Sequence, residues 1–224
     1  DLFNDVEGHW AYQNIDYVLK HGIFNGTSDT AFSPNTSLTR GMFITTIGRI
    51  ANVDTASYSQ SRYSDVAAGS YYLPYIEWAS DFGIVQGVGQ GLFEPDRLIS
   101  REEMAKMLNN YLTAAGYSAG EAADSDALFI DNAAISTWAV DAVYQLKSAD
   151  ILSGRPDGRF DPKGTATRAE AAAVINRLLV NIVDKAQIRG WSQGTDGKWS
   201  FYDWQGTRLT GRQELYGQSY YFYE

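Results

Sequence analysis

"LTRGMF" at residues 38–43, "ISREEM" at 99–104 and "ATRAEA" at 166–171 are three versions of one short motif. In each, an Arg follows a Thr or Ser, and in the last two a Glu stands three residues after that hydroxyl residue. Such a pattern is a capping box, in which the hydroxyl and the carboxylate accept from free backbone N–H groups of a first helical turn. The sequence therefore predicts that a helix starts at each of the three motifs.

The arginine of the motif is not explained by capping. Arg168 falls in the first turn, where the helix dipole is positive and a cation is unfavourable by roughly 0.3 to 1 kcal/mol. A helix N-terminus with free N–H groups is also an anion site, and an arginine adds a forked donor for a carboxylate. We therefore expect Arg40, Arg101 and Arg168 to bind an anionic ligand. In the alternative, each arginine pairs with the Asp that opens its own repeat, and the two roles can coexist.

The motif belongs to a longer repeat. Arg40, Arg101 and Arg168 are 61 and 67 residues apart. Three further landmarks keep the same intervals: Gly26, Gly87 and Gly154; Phe32, Phe93 and Phe160; and Pro34, Pro95 and Pro162. The openings "FNDV", "YSDV" and "FIDN" place Asp5, Asp65 and Asp131, each followed by an aromatic residue, Trp10, Tyr71 or Trp138. The sequence thus contains three copies of one unit, with boundaries at 1–55, 62–115 and 128–183, joined by small polar linkers.

Each unit is predicted to be a helix, a structured loop and a second helix. Ile15, Val18 and Leu19 follow helical spacing, and Gly22 stands where a left-handed C-terminal cap is needed; Gly83 repeats this, and Asp150 does so less favourably. Two short helices cannot cover their own apolar faces, so the copies must pack on one another. The expected fold is mainly α, three helix-loop-helix repeats in a pseudo-threefold bundle, with a small C-terminal β-hairpin segment.

Composition excludes several classes of function. The formal net charge is -9, with 27 Asp and Glu against 18 Lys and Arg, which argues against nucleic-acid binding. No apolar run approaches the length of a membrane span, so membrane insertion is not expected. With no Cys and two His, a metal site and a cofactor are not expected either.

The repeated residues carry a resemblance to a known family. The order of "FNDV", "HWA", "GIFNG", "FSP" and "TRAE" resembles the S-layer homology domain, which usually occurs as three tandem copies. The resemblance covers residues 3 to about 180. It implies a three-pronged bundle that anchors bacterial surface proteins in the cell wall and binds a secondary cell-wall polysaccharide linked to peptidoglycan. In that family the glycan is often anionic and carries a pyruvyl ketal, and it lies in grooves between neighbouring units.

With the resemblance, the expected glycan-binding residues can be named. They are Arg40, Arg101, Arg168, Asp5, Asp65, Asp131, Trp10, Tyr71, Trp138, Glu103, Glu170, Gly26, Gly87 and Gly154. The Asp residues suit caps or turns as well as sugar hydroxyls, the aromatic residues suit core packing as well as ring stacking, and the Glu residues are capping residues first. The first copy has Met42 where the others have Glu, so its helix start is poorly capped and the Arg40 site is expected to be weakest.

Residues 189–224 have a different character, with alternating aromatic and Gly residues that are typical of β-hairpins. This tail is similar to the choline- and glucan-binding type of cell-wall repeat. In the second copy of this repeat, Arg212 and Ser219 stand at the positions of Trp191 and Trp199. The aromatic cage of that family is therefore incomplete, and a structural hairpin is favoured over a choline site.

Three function classes follow. The leading one is a non-catalytic, extracellular module at the cell wall or S-layer surface. The alternatives are a protein-protein interaction module of the cell surface and the non-catalytic part of a larger surface enzyme. An enzyme in its own right is not expected, because no pair of carboxylates recurs except as caps and turns.

Overall fold

The computed structural model describes residues 3–117, 119, 128–183, 190–194, 196–202, 208–215 and 218–223. Six α-helices are present in this part of the chain: α1 Tyr12–Lys20, α2 Arg40–Ile50, α3 Leu73–Asp81, α4 Arg101–Ala114, α5 Val140–Ser148 and α6 Arg168–Leu178. Short 3₁₀ turns lie at Thr55–Ser57 and Asn132–Ala134, and a π turn, Leu179–Val183, extends α6. Four strands follow: β1 Gly190–Gln193, β2 Trp199–Tyr202, β3 Gly211–Leu215 and β4 Gln218–Phe222. The predicted class, mainly α with a small C-terminal β segment, is confirmed.

Every unit has the predicted order of helix, loop and helix. The first helix of each unit ends at a residue with positive φ: Gly22 at 67°, Gly83 at 68° and Asp150 at 55°. A left-handed residue at this position redirects the chain into the loop, and only the third unit uses a residue with a Cβ there.

The units are joined in a closed ring by their helices. The second helix of each unit packs on the first helix of the next: α2 on α3, α4 on α5, and α6 back on α1. Gly48 of α2 allows this closeness, because a Cβ at that position would lie 2.2 Å from the ring of Tyr75 on α3. One apolar core runs through all three units. This agrees with the prediction that a single copy cannot cover the apolar faces of its own helices.

The ring is also closed by backbone hydrogen bonds about the pseudo-threefold axis. The N–H of Leu38 donates to the carbonyl of Ala166 at 2.9 Å, that of Ile99 to Leu38 at 2.9 Å, and that of Ala166 to Ile99 at 3.3 Å. All three side chains are fully buried. Because each unit both donates to one neighbour and accepts from the other, no unit can leave without breaking two of these bonds.

The helix starts agree with the predicted caps. Ser100 with Glu103, and Thr167 with Glu170, form complete capping boxes. Thr39 accepts from the N–H of Met42, but its own unit supplies no Glu to complete the box. Among the three second helices, α2 therefore has the poorest cap, as expected.

The C-terminal segment forms two antiparallel hairpins. β1 pairs with β2 and β3 with β4, each as a separate two-stranded sheet. Phe201 and Phe222 pack against each other with ring centroids 6.4 Å apart. Most of the second linker and the side chain of Trp191 lie outside the described residues, so the expectations for them stay predictions.

Candidate functional site

The three motif arginines are buried and cross from one unit to the next. Arg101, on the second unit, donates through Nε to the carbonyl of Phe160 at 2.8 Å and through Nη2 to that of Ser153 at 3.2 Å, both on the third unit. The other two do the same in cyclic order: Arg40 to Phe93 and Gln86, and Arg168 to Phe32 and Asn25. Pairing of each arginine with the Asp of its own repeat, the alternative considered from the sequence, is therefore wrong.

Each guanidinium also lies over a phenylalanine of the neighbouring loop. The Cζ atom is 4.6 Å from the ring centroid of Phe93 for Arg40, 5.2 Å from that of Phe160 for Arg101, and 4.4 Å from that of Phe32 for Arg168. A cation over a buried ring is held by the negative face of that ring. The arginine planes are thus fixed before any ligand arrives.

Each capping glutamate pairs with two arginines, one from the preceding unit and one from its own unit, which is Arg97 for Glu103 and Arg155 for Glu170. Glu103 accepts from the Ser100 N–H at 3.0 Å and also from Arg40 Nη1 at 2.8 Å, so one carboxylate caps its own helix and pairs with the arginine of the preceding unit. Glu170 does the same with Thr167 and Arg101. Burial alone would raise the pKa of Glu103, but hydrogen bonds from Arg97 and the Ser100 amide, together with the charge of Arg40, lower it to about 2.

The arginine without a carboxylate is Arg168. It points at the first unit, where Met42 replaces the glutamate, and no described carboxylate lies within 4 Å of its guanidinium. Burial lowers the pKa of Arg168 to about 10, against the opposing charge of Asp5. The sequence analysis expected Met42 to weaken the site of Arg40, but the structure places Met42 in the groove that Arg168 enters, because the arginines reach forward into the next unit.

The opening aspartates fix the loops. Asp65 accepts from the N–H of Phe93 at 2.9 Å and from that of Glu94 at 2.7 Å. Glu94 has a φ of 58°, a strained value for a residue with a Cβ, so these bonds stabilise a left-handed turn. Asp5 and Asp131 hold the equivalent residues Phe32, Ser33, Phe160 and Asp161 in the same way. Both oxygens of each carboxylate are used by the loop, which supports the turn role over direct contact with sugar.

The loop glycines allow close approach of an aromatic ring. A Cβ on Gly87 would lie 2.6 Å from the carbonyl oxygen of Leu92 and 2.7 Å from the ring of Tyr63. Gly26 and Gly154 are crowded in the same way by Phe3 and Phe129. These glycines shape the loop beside each arginine.

The aromatic residues after each Asp are exposed rather than buried. Trp10, Tyr71 and Trp138 are 63%, 55% and 48% exposed. Trp138, on the third unit, lines a groove that also contains Arg40 of the first unit and Glu103 of the second. Core packing, one of the two readings of these residues, is thereby excluded.

Three grooves of the same plan are present, and each takes residues from all three units. Groove I is lined by Asn25, Met42, Thr45, Thr46, Arg49, Tyr71 and Arg168, among others. Groove II contains Arg40, Gln86, Glu103, Lys106, Met107, Asn110 and Trp138. Groove III contains Trp10, Arg101, Arg155, Glu170, Arg177 and the loop from Leu152 to Pro156. Among the described lining residues of every groove, Arg and Lys outnumber carboxylates, although the whole chain has a formal charge of -9.

The backbone N–H groups expected to bind an anion are already occupied. The N–H of Arg101 donates to the carbonyl of Gly164 and that of Glu102 to the carbonyl of Pro162, both on the next unit. The N–H of Glu103 donates to the hydroxyl of Ser100, the capping residue. The equivalent amides at the starts of α2 and α6 donate to equivalent acceptors in the next unit and in their own cap. The helix N-terminus is therefore not a free anion site, and the cationic side chains remain as the groups that could hold an anion.

Sequence reasoning missed one row of groove residues. Lys106, Met107 and Asn110 follow Glu103 at positions i+3, i+4 and i+7, which is one face of α4. The same row in the other units is Thr45, Thr46 and Arg49 after Met42, and Ala173, Val174 and Arg177 after Glu170. Part of the signal was available, because the row carries the polar residues Arg49, Lys106, Asn110 and Arg177. Met107 and Val174 of the same row are buried in the apolar core, so the row borders the apolar face.

Comparison with known proteins gives one family and several relatives. The S-layer homology domain matches residues 2–42, 62–105 and 131–172. The chain is 37% identical over 178 residues to an amylopullulanase of Thermoanaerobacterium thermosulfurigenes, an alignment that covers 79% of this chain and 9% of that protein. It is 33% identical to an endoglucanase of Bacillus sp. (strain KSM-635), over 79% of this chain and 18% of that protein. With the S-layer protein sap of Bacillus anthracis the identity is 30%, over 77% and 20% respectively.

These alignments are limited in extent. The chain spans about a fifth or less of the length of each of these relatives, and the enzymes match it through the region of the three repeats. Within the described residues, no helix is long and apolar enough to cross a membrane, and no group of His and carboxylate side chains is suited to a metal ion.

Proposed function

The chain belongs to the S-layer homology domain family, and we propose that its three grooves bind a secondary cell-wall polysaccharide that carries carboxylate groups, such as a pyruvylated glycan linked to peptidoglycan. Proteins of this family lie at the cell surface and bind the cell wall through this non-catalytic module. The acidic character of the glycan is inferred from the grooves.

The observation that carries it is the repeated juxtaposition of a buried arginine and an exposed aromatic ring. An exposed ring offers an apolar face that a sugar ring can cover, and a guanidinium offers paired donors to a carboxylate. The two occur together three times, with residues drawn from different units each time. An acidic protein that concentrates cations in three concave sites is suited to a ligand with negative charge.

Each groove retains donors for such a ligand. An arginine side chain has five N–H donors. Arg40 and Arg101 each use three of their five in contacts with the neighbouring unit, and Arg168 uses two. The row on the second helix adds Lys106 in groove II and Arg177 in groove III at the rim. We therefore assign the carboxylate of the ligand to the arginines and the sugar face to the aromatic ring.

The experiment is a pull-down with purified cell-wall sacculi, with and without their covalently attached polymer. We expect binding to the complete sacculi and loss of binding after the polymer is removed. Binding should persist in about 0.3 M NaCl, where the Debye length is roughly 5 to 6 Å, because the contacts are short and partly desolvated. Equal binding to both kinds of sacculi would refute the polymer as the ligand and would favour the alternative, a protein-protein interaction module.

The tail carries a separate proposal. We infer that residues 189–224 act as a structural hairpin pair related to choline- and glucan-binding repeats, rather than as a choline site. Trp199 is 58% exposed, and the corresponding residue of the second hairpin is Ser219. Titration of choline and of glucan oligosaccharides, followed by tryptophan fluorescence, tests this, and saturable binding of choline would contradict it.

A further inference from the structure

Groove I differs from the other two at the position of the capping glutamate. In grooves II and III the carboxylates of Glu103 and Glu170 lie 2.8 Å and 3.2 Å from the guanidinium of the arginine that enters from the preceding unit. In groove I the same position is Met42. Arg168 therefore enters its groove with its positive charge unpaired by any carboxylate of the described chain.

A second cation stands beside it. Arg49 lines groove I, where grooves II and III have Asn110 and Arg177. Asn25 contacts both arginines: its carbonyl accepts from Arg168 Nη2 at 2.6 Å, and its side-chain oxygen, in the amide orientation that satisfies its neighbours, accepts from Arg49 Nη2 at 3.2 Å. No described acid pairs with Arg49 either. Two like charges held together in a partly desolvated groove lower the free energy of binding of an anion more than either would alone.

We propose that groove I is the carboxylate-selective groove of this protein and that residue 42 determines this selectivity. The inference rests on the proposed function. In grooves II and III a ligand carboxylate must compete with Glu103 or Glu170 for the arginine, so those grooves bind neutral sugar hydroxyls and acidic sugar with more similar affinity. In groove I the ligand carboxylate is the missing partner of Arg168, with Arg49 at its side.

The structure provides a test in which stability and binding move in opposite directions. Met42→Glu places a carboxylate where Glu103 and Glu170 stand, so it completes the capping box with Thr39 and also neutralises Arg168. The melting temperature should rise by about 2 to 4 °C, the shift that corresponds to a helix cap. Affinity of groove I for a carboxylated sugar should fall about tenfold, the change that corresponds to 1.4 kcal/mol.

Met42→Gln is the matched control. A Gln completes the capping box as a Glu does, but it carries no charge. This variant should also gain thermal stability from the completed cap, and it should keep the wild-type affinity for the carboxylated sugar to within about twofold. A merely structural role of residue 42 would move both variants together.

The methionines report the grooves separately. The chain has three: Met42 in groove I, Met107 in groove II and Met104, which is fully buried. Methyl-labelled methionine allows an NMR titration of the wild type with a pyruvylated disaccharide and, separately, with its neutral methyl ester. The Met42 signal should respond at about tenfold lower concentration of the acid than the Met107 signal, while the ester should lose that preference.

In the Met42→Glu variant the Met107 signal should titrate as in the wild type, and calorimetry with the acid should show the loss at the other groove. If Met107 responds first, or if Met42→Glu binds the acid as tightly as Met42→Gln does, the inference about groove I is wrong. If neither the acid nor the ester perturbs Met42 or Met107, the proposed function itself has failed.

Discussion

Replacing Arg101 by Ala should destabilise the whole bundle, because this side chain joins two units. It donates to the carbonyls of Phe160 and Ser153 and pairs with Glu170, all across the boundary between the second and third units. The side chain is 6% exposed, so truncation leaves two carbonyls and a carboxylate with fewer partners in a largely dry place. We expect a loss of about 3 to 5 kcal/mol in the free energy of unfolding, the range for removing one member of a buried charge pair.

The helix dipole acts in the opposite direction but is smaller. A cation in the first turn is unfavourable by roughly 0.3 to 1 kcal/mol, and on sequence grounds alone its removal would leave the fold intact or slightly steadier. The contacts with the third unit outweigh that term several times over. The sign of the expected effect on stability is therefore set by the neighbouring unit.

Urea denaturation followed by tryptophan fluorescence measures the change, with Arg177→Ala as the matched control. Arg177 lines the same groove III, but its described hydrogen bond is to the Ser153 hydroxyl at 3.3 Å, within the third unit. The control should lose less than about 1 kcal/mol, as exposed polar contacts do. A loss below about 1 kcal/mol for Arg101→Ala, or equal losses for the two variants, would refute the role of the arginine in joining the units.

Four other changes test separate parts of the structure. Asp65→Ala should lower stability by about 2 to 3 kcal/mol in the same urea assay, because both carboxylate oxygens hold loop amides, one of them at the left-handed Glu94; a wild-type midpoint would contradict this. The pKa of Glu103 is lowered from 4.5 to about 2, so it contributes stability above pH 4.5 that is lost as the pH falls toward 2; melting temperatures between pH 6 and 2.5 should fall less steeply for Glu103→Gln. Trp138→Ala should weaken binding of pyruvylated disaccharide at groove II by about fivefold to tenfold with no change in melting temperature, since the ring is 48% exposed; calorimetry and a thermal melt check the two parts. Residues 63–115 alone should not fold, and a cooperative melt of that soluble monomer would contradict the shared core.

The repeat plan and the helix starts could be predicted from the sequence because they depend on local chemistry. A capping box is satisfied within four residues, so Ser100 with Glu103 identifies a helix start wherever the helix lies. Gly22 and Gly83 mark helix ends for the same reason, since a left-handed residue is a local requirement. Because several features recur at the same two intervals, three copies could be identified, and apolar faces too large for one copy predicted a shared core.

The partners of the arginines depended on the tertiary structure. Arg40, Arg101 and Arg168 each bond to a loop more than 45 residues away in sequence, and nothing near them in the chain states which loop that is. Ring closure about the threefold axis makes every second helix point forward into the next unit. Because of that direction, the first amides of each second helix are bonded to the next unit, and Met42 lies in the groove of Arg168 and not in that of Arg40.

The same closure decided where the remaining candidates lie. In the sequence, the position before a helix suited the aromatic residues Trp10, Tyr71 and Trp138 to a core. The closed arrangement of the three units places each of them in a groove whose other residues come from the other two units. The sequence by itself determined what each unit is, because capping, turns and periodicity act over a few residues. Which groups face one another was decided by packing three units around an axis, because contacts between distant residues arise from the geometry of the assembly and not from the chain near them.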